Sequence, residues 1–455
     1  MAETKKQDMG TGSVKRKMVQ LAVPAVVAQV INLLYNIVDR IYIGHIPEIG
    51  AHALTGVGLF TPILMLITAF AMLAGSGGAP LAAIAMGRGE QDQAEKIMGN
   101  CFTVLLLMAV VLTGVFCAFI PELIRLFGGS GNTIPYGVSY GRIYSLGSVF
   151  VLVVMGMNPF ITTQGLAKLS MLTTVIGAVI NIILDPILIF ALDLGVAGAA
   201  IATVLSQAVS AVWILRFLTG KKTLLKLRFG NMILEPGVIL PCLGLGVSSF
   251  VMVSTESILS VSFTSSLFRY GGDVAVGAMT VLTSVNQVIS MPLVGICQGG
   301  QPLMSYNYGA GKLDRVKEAF LCQFTVCVSY ATVFWVLVQL FPSFFAGIFT
   351  NEQALVDYTA WAMRIFLAGC FSVGFQNSCQ QAFVALGQAK ISLFMACLRK
   401  LILLIPLIFI LPNFFQNKAM AVFLAEPVSD ILAAAAATTA FFLFFRRLMK
   451  TGKAE

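Results

Sequence analysis

Apolar runs of about 20 residues recur along almost the whole of this 455-residue chain, and each is long enough to cross a bilayer core of roughly 30 Å. Twelve such spans can be placed, at 19–43, 53–76, 97–120, 137–160, 168–191, 196–219, 238–263, 275–303, 319–345, 358–385, 391–412 and 418–445. No water is available in a bilayer core to satisfy backbone polar groups. The spanning elements must therefore be helices or a closed barrel, and the short alternating strands of a barrel are absent from this sequence. Only 11% of the residues are charged and 58% are hydrophobic, whereas soluble chains sit near a quarter charged. The fold class read here is an all-α polytopic membrane protein.

The first run follows the basic stretch "SVKRKMVQ" and is too long for a signal-peptide core, so it reads as a retained helix. Of the 29 Lys and Arg, 21 fall in one set of loops and tails and 6 in the other, with Arg399 and Lys400 inside a span. Positive charge stays on the cytoplasmic side. Both termini are thus expected in the cytoplasm, and the net charge of +9 reports topology, not nucleic-acid binding. The nine Cys are scattered through apolar runs without a CxxC pair, as buried structural thiols are. His45 and His52 read as solvated residues of the first outer loop.

The two halves repeat. "GGAPLAAIAMGRGEQD" (Gly77 to Asp92) resembles "GGQPLMSYNYGAGKLD" (Gly299 to Asp314) at a spacing of 222, and the same spacing aligns "GLAKLS" with "GQAKIS" and Arg142 with Arg364. Six spans per half make the repeat parallel, with a cavity expected between the lobes. The expected divisions are a tail over 1–18, an N-lobe over 19–219, a linker over 220–237, a C-lobe over 238–445 and a tail over 446–455. Such duplication points to a carrier. No HExxH, GxSxG, P-loop or dinucleotide fingerprint is present, so the chain is read as no enzyme.

Acids inside spans are costly and mark functional candidates. In "NLLYNIVDRIYIGH", Asp39 stands near the outer end of the first span. An interfacial pair with Arg40 is one reading of it. Gln29, Asn32, Asn36 and Asp39, however, recur at spacings of 3, 4 and 3 and form one polar stripe, with Tyr35 a turn away. Asp185 in "VINIILDPILIF" lies at a similar depth of the same lobe, on a stripe with Thr174, Gly177 and Asn181 and just before Pro186. Two close acids in a low dielectric cannot comfortably both be ionised, which suits proton exchange or capture of a cation. Asn158 and Thr203 are polar neighbours on adjacent spans, or packing hydrogen bonds. The second half holds Glu256, an amide face of Gln376, Asn377, Gln380 and Gln381, and the acids Glu426 and Asp430, which Arg399 and Lys400 could neutralise.

Taken together, "VPAVVAQVINLLYNIVDRIYIG", "GGAPLAAIAMGRG", "INIILDPILIF", "GVAGAAIATVLSQ", "TESIL", "GGQPLMSYNYGAGK" and "LRKLILLIPLI" resemble the multidrug and toxic compound extrusion family, in its MepA-like bacterial branch, over nearly the full chain. The resemblance implies two six-helix lobes around a central cleft and export driven by inward H⁺ or Na⁺ through alternating access. It maps a first-lobe coupling site onto Asp39 and Asp185, with Tyr35, Asn158, Asn181 and Thr203 around them, and a cation-site Glu onto Glu256. Na⁺ at Asp39/Asp185 or at Glu256 is the alternative to H⁺. The Asp that some members carry in the tenth span is replaced here by amides, which favours proton coupling. Cleft residues for drugs or organic cations are expected among Gln29, Asn32, Asn36, Gln287, Met291, Gln376, Gln380 and Glu426. No cofactor, structural metal or nucleic-acid partner is expected, and a monomer in the bacterial plasma membrane is. A lipid-linked glycan flippase is the second reading, and a membrane receptor or scaffold the third.

Overall fold

The computed structural model describes residues 9–349 and 352–451. Lys5, Lys6 and Lys453 of the charge count lie outside them. Nine helices among the described residues are long and apolar enough to cross a membrane, and two bent pairs bring the number to eleven. The longest helix, Pro236–Gly309, has 74 residues. At 1.5 Å per residue a straight helix of that length would reach roughly 110 Å, several times a bilayer core. It is interrupted at Gly272 (φ 64°, ψ −160°), so it supplies two spans and completes twelve.

These are named in chain order: α1 Val14–Gly44, α2 Gly50–Arg88, α3 Gln91–Leu126, α4 Ile134–Leu146 with Ser148–Thr163, α5 Ala167–Ala191 and α6 Gly195–Leu218. Then follow α7 (236–271) and α8 (273–309), α9 Leu313–Leu340, α10 Gln353–Phe366 with Cys370–Ala385, α11 Ala389–Asn413 and α12 Lys418–Thr451. The bends in α4 (56°) and α10 (47°) fall at the repeat-related Gly147 and Gly369.

Gly272 holds a backbone conformation that is essentially restricted to glycine. Replacing it with Val should cost about 1–3 kcal/mol, seen as a lower melting temperature of the purified protein. An unchanged melting temperature would mean that the α7–α8 turn tolerates another conformation.

The chain forms two compact units. One contains Val27–Val253; the other contains Gly10–Val26 and everything from Ser254 onward. Each unit thus includes the opening stretch of the helix that begins the other half. Small residues permit this. A Cβ on Gly77 of α2 would lie 2.0 Å from the Cys242 carbonyl oxygen of α7, and one on the repeat-related Gly299 of α8 would lie 2.4 Å from the Ala22 Cα of α1. Only glycine lets the backbones approach so closely.

The segment before each opening helix is fastened as well. In the first unit Gln164 Oε1 accepts hydrogen bonds from Thr223 Oγ1 (2.8 Å), Leu224 N (2.7 Å) and Leu225 N (3.2 Å). Asn100 Oδ1 accepts from Glu235 N (2.8 Å), and Thr103 Oγ1 donates to the Met232 carbonyl (2.7 Å). The basic linker is therefore a strap bonded to α3 and α4. In the second unit Lys312 donates to the Gly10 carbonyl (2.8 Å) and Arg315 to that of Gly12 (2.7 Å). Gly10 and Met232 are again 222 apart. The sequence repeat is thus a repeat of tethering as well as of spans.

Hydrophobic packing closes each unit separately. Phe60, Ile67, Met98, Leu105, Ile120 and Phe160 are fully buried in the first, and Leu267, Ile289, Ala362, Ile408 and Phe423 in the second.

Candidate functional site

The first unit gathers polar side chains from four helices around two acids. Asp185, on α5, is completely buried, and Asn181, one turn earlier, is 1% exposed. Asn181 Nδ2 donates to Asp185 Oδ1 at 3.3 Å and to Thr203 Oγ1 of α6 at 3.4 Å. The Thr203 hydroxyl in turn donates to the Ala199 carbonyl at 3.1 Å. The α-helix of α5 ends at Pro186, and Ile187–Ala191 winds as a π-helix. Proline removes one backbone donor, and π turns accommodate the altered bonding.

Asp39, on α1, is half-buried. Its carboxyl and that of Asp185 lie within side-chain hydrogen-bonding reach. Two carboxylates have no proton to donate, so a bond between them requires one to carry a proton. Asp39 Oδ1, Asp185 Oδ2 and Asn181 Oδ1 are sealed from solvent without a protein donor. A shared proton would serve the carboxyl oxygens. Carboxylate and amide oxygens are also the hard donors that a Na⁺ takes, so the residues present fit either ion. Among the described residues no group of three or more His, Cys, Asp or Glu is placed to hold a metal.

Tyr35 stands close enough to feel the charge of both acids. Two further tyrosines complete the surroundings. Tyr140 and Tyr144 of α4 stack at 6.0 Å and are 3% and 8% exposed. Both lie within the electrostatic reach of Asp39, and Tyr140 stands beside Thr203. Sequence reasoning missed them, yet "TIPYGVSYGRIYSL" carries Tyr136, Tyr140 and Tyr144 at intervals of four, a one-face signature.

Arg40 is exposed and makes no ion pair among the described residues. Asn158 Nδ2 donates to the Ser170 carbonyl (3.3 Å), joining α4 to α5. Gln380, 222 residues later, donates to the Ser392 carbonyl (3.0 Å) in the same way. Both bonds are repeat-related clamps. Asn158 Oδ1 and Gln380 Oε1 are buried without a protein donor.

The second unit treats its acids differently. Lys400 of α11 is paired with Glu256 of α7. Arg399 holds Asp430 (2.8 Å) and Glu426 (3.3 Å) of α12. Gln376 is 3% exposed, its Oε1 without a protein donor. Of the other expected cleft residues, Asn36 and Gln287 are exposed, and Gln29, Asn32 and Met291 are half-buried.

The MatE family pattern matches residues 24–187 and again 248–410, well over half of the chain. The double match restates the internal repeat. Relatives include the multidrug export protein MepA of Staphylococcus saprophyticus, 24% identical over 89% of this chain and 88% of its own, and that of Staphylococcus haemolyticus, 23% identical over 92% of each. Among solved structures, a MATE in the bent conformation superposes with a TM-score of 0.92 at 23% identity, over 99% of this chain and 100% of its own. A multidrug resistance MATE family transporter of the MOP superfamily in an outward-facing conformation does so with 0.90, at the same identity and coverage. With its twelve membrane helices, its doubled six-helix half and both halves matched by the family pattern, the chain belongs to the MatE family.

Proposed function

We propose that this protein is a secondary active exporter of amphipathic or cationic drugs, exchanging them for H⁺ by alternating access, with Asp39 and Asp185 as the coupling pair. The observation that carries this reading is the approach of two acids from α1 and α5 to hydrogen-bonding reach without a basic partner bonded to either. A proton held between them stabilises the contact. Its loss leaves two like charges in a poorly solvated site, and a cationic drug or a fresh proton relieves the repulsion. Antiport requires that drug and proton favour different states of the carrier, and competition for one negative site supplies that difference.

The names of the curated relatives support the export reading. The Lys and Arg bias supports cytoplasmic termini, and the bacterial relatives support a plasma-membrane location. A single proton shared between the two carboxyls would give each oxygen the donor it lacks, and this supports H⁺ over Na⁺.

Proteoliposomes loaded with a fluorescent organic cation test the proposal. An imposed proton gradient should drive its transport, and a sodium gradient at equal pH should not. Transport driven by sodium alone would replace H⁺ with Na⁺ at the pair. Transport under neither gradient would overturn the exporter reading.

A further inference from the structure

The second unit contains three membrane-embedded acids and two bases, and their pairing is unequal. Arg399 bonds both Glu426 and Asp430 and acts on Glu256 through its charge. Lys400, 4% exposed, is the base that pairs with Glu256. The Glu256 side chain is 52% exposed, whereas Glu426 and Asp430 are 10% and 6% exposed. Glu256 is therefore the acid of this group that a mobile ion can reach. Ser260, one turn along α7, is exposed on the same helical face.

Local backbone structure explains how two adjacent bases serve two different partners. Arg399 and Lys400 lie in the π-helical stretch Leu398–Leu404, a wider turn than an α-helix and one that often marks functional positions. The Ser429 hydroxyl of α12 bonds the Arg399 carbonyl at 3.0 Å, and this fixes the stretch against α12. With Arg399 committed to α12, Lys400 is presented to α7.

We infer that Lys400 is a specificity-determining residue: its tethered ammonium takes the position at Glu256 that a free monovalent cation would otherwise occupy, so this half of the carrier binds no Na⁺. The inference rests on the exporter reading for its consequence, which is that coupling is confined to Asp39 and Asp185. Its physical content does not depend on that reading. A lysine ammonium carries the charge of a monovalent cation at effectively unlimited local concentration. It also brings three N–H donors in place of the oxygen-coordinated shell that Na⁺ needs. Arginine at the same place would also exclude Na⁺, while a neutral side chain would open the carboxylate to it.

The test uses the purified full chain in detergent or nanodiscs, melted in equimolar NaCl, KCl and choline chloride. The wild-type protein and Lys400→Arg should melt alike in all three salts. Lys400→Met should melt higher in NaCl than in choline by roughly 2 °C or more, and Glu256→Gln added to it should abolish that shift. A Na⁺-specific shift in the wild-type protein that Glu256→Gln removes would overturn the inference, as would a folded Lys400→Met protein indifferent to Na⁺. Should Lys400→Met not fold, Lys400→Gln replaces it, and the comparison of wild type with Glu256→Gln still decides: indifference of both to Na⁺ supports the inference. The readout is melting and not drug transport, so its failure is distinguishable from failure of the Asp39–Asp185 assignment.

Discussion

Asp39→Asn and Asp185→Asn should each lower proton-driven efflux at least about tenfold, a loss of roughly 1.4 kcal/mol or more of coupling, while the protein still accumulates in the membrane. Both substitutions keep the shape of the side chain and supply an N–H donor to the acid that remains. Asp185 Oδ2 and Asp39 Oδ1 have no protein donor, so each variant can satisfy the facing oxygen and the fold should survive. What is lost is the change of charge. Two ionised carboxylates about 4 Å apart repel by about 4 kcal/mol at an effective dielectric of 20, and Asn at either position removes that repulsion permanently. The pair acts as a unit, so the double variant should be no worse than either single one. Asn158→Ala should behave differently: it breaks the bond to the Ser170 carbonyl and should lower the melting temperature more than the proton dependence. Efflux from everted vesicles, normalised to protein level, together with the melting temperature of each purified variant, measures all four. Near-normal transport in both single Asn variants would sink the site.

The spans were legible because bilayer thickness fixes their length, and the repeat was legible because one offset recurs through Gly77/Gly299, Pro80/Pro302 and Asp92/Asp314. Other features depend on contacts distant in sequence. The α7–α8 connection was expected as a loop over 264–274, but the helix runs on to Gly272 and turns there, because "GG" reports a permissive backbone without saying where it bends. The linker read as a polar boundary, yet its backbone is bonded to Gln164, Asn100 and Thr103, side chains that carry no mark of this in the sequence. At the candidate site, Asp39, Asn181 and Asp185 could be named from stripes of polar residues, and Thr203 only as a polar neighbour on an adjacent span. Tyr140 could not be ranked above other aromatics until Thr203 was found beside it. Pairing in the second unit was the least legible of all: three acids and two bases admit several combinations, and the π turn at Leu398–Leu404 selects one.

The largest stability effect is expected at Arg399. Its side chain is 15% exposed and holds Glu426 and Asp430, themselves 10% and 6% exposed. Arg399→Met would leave both acids without their bonded base in a poorly solvated interior. Removing one partner from such a pair costs about 3–5 kcal/mol, a large share of the roughly 5–15 kcal/mol that holds a typical domain folded. The variant should therefore give little monodisperse protein and a sharply lowered melting temperature. The triple variant Arg399→Met, Glu426→Gln, Asp430→Asn removes the uncompensated charges along with the base and should recover most of the loss, since replacing a whole buried ion group is often close to neutral. A single variant as stable as wild type would mean that the two acids are neutral in the folded protein and that the guanidinium is no counter-ion. The contrast between the two units then has a physical meaning. Glu426 and Asp430 are bonded to a guanidinium, whereas no base among the described residues is ion-paired with Asp39 or Asp185. Counter-charge placement thus separates the acids that the Arg399 variants test for stability from the pair that the Asp39 and Asp185 variants test for coupling.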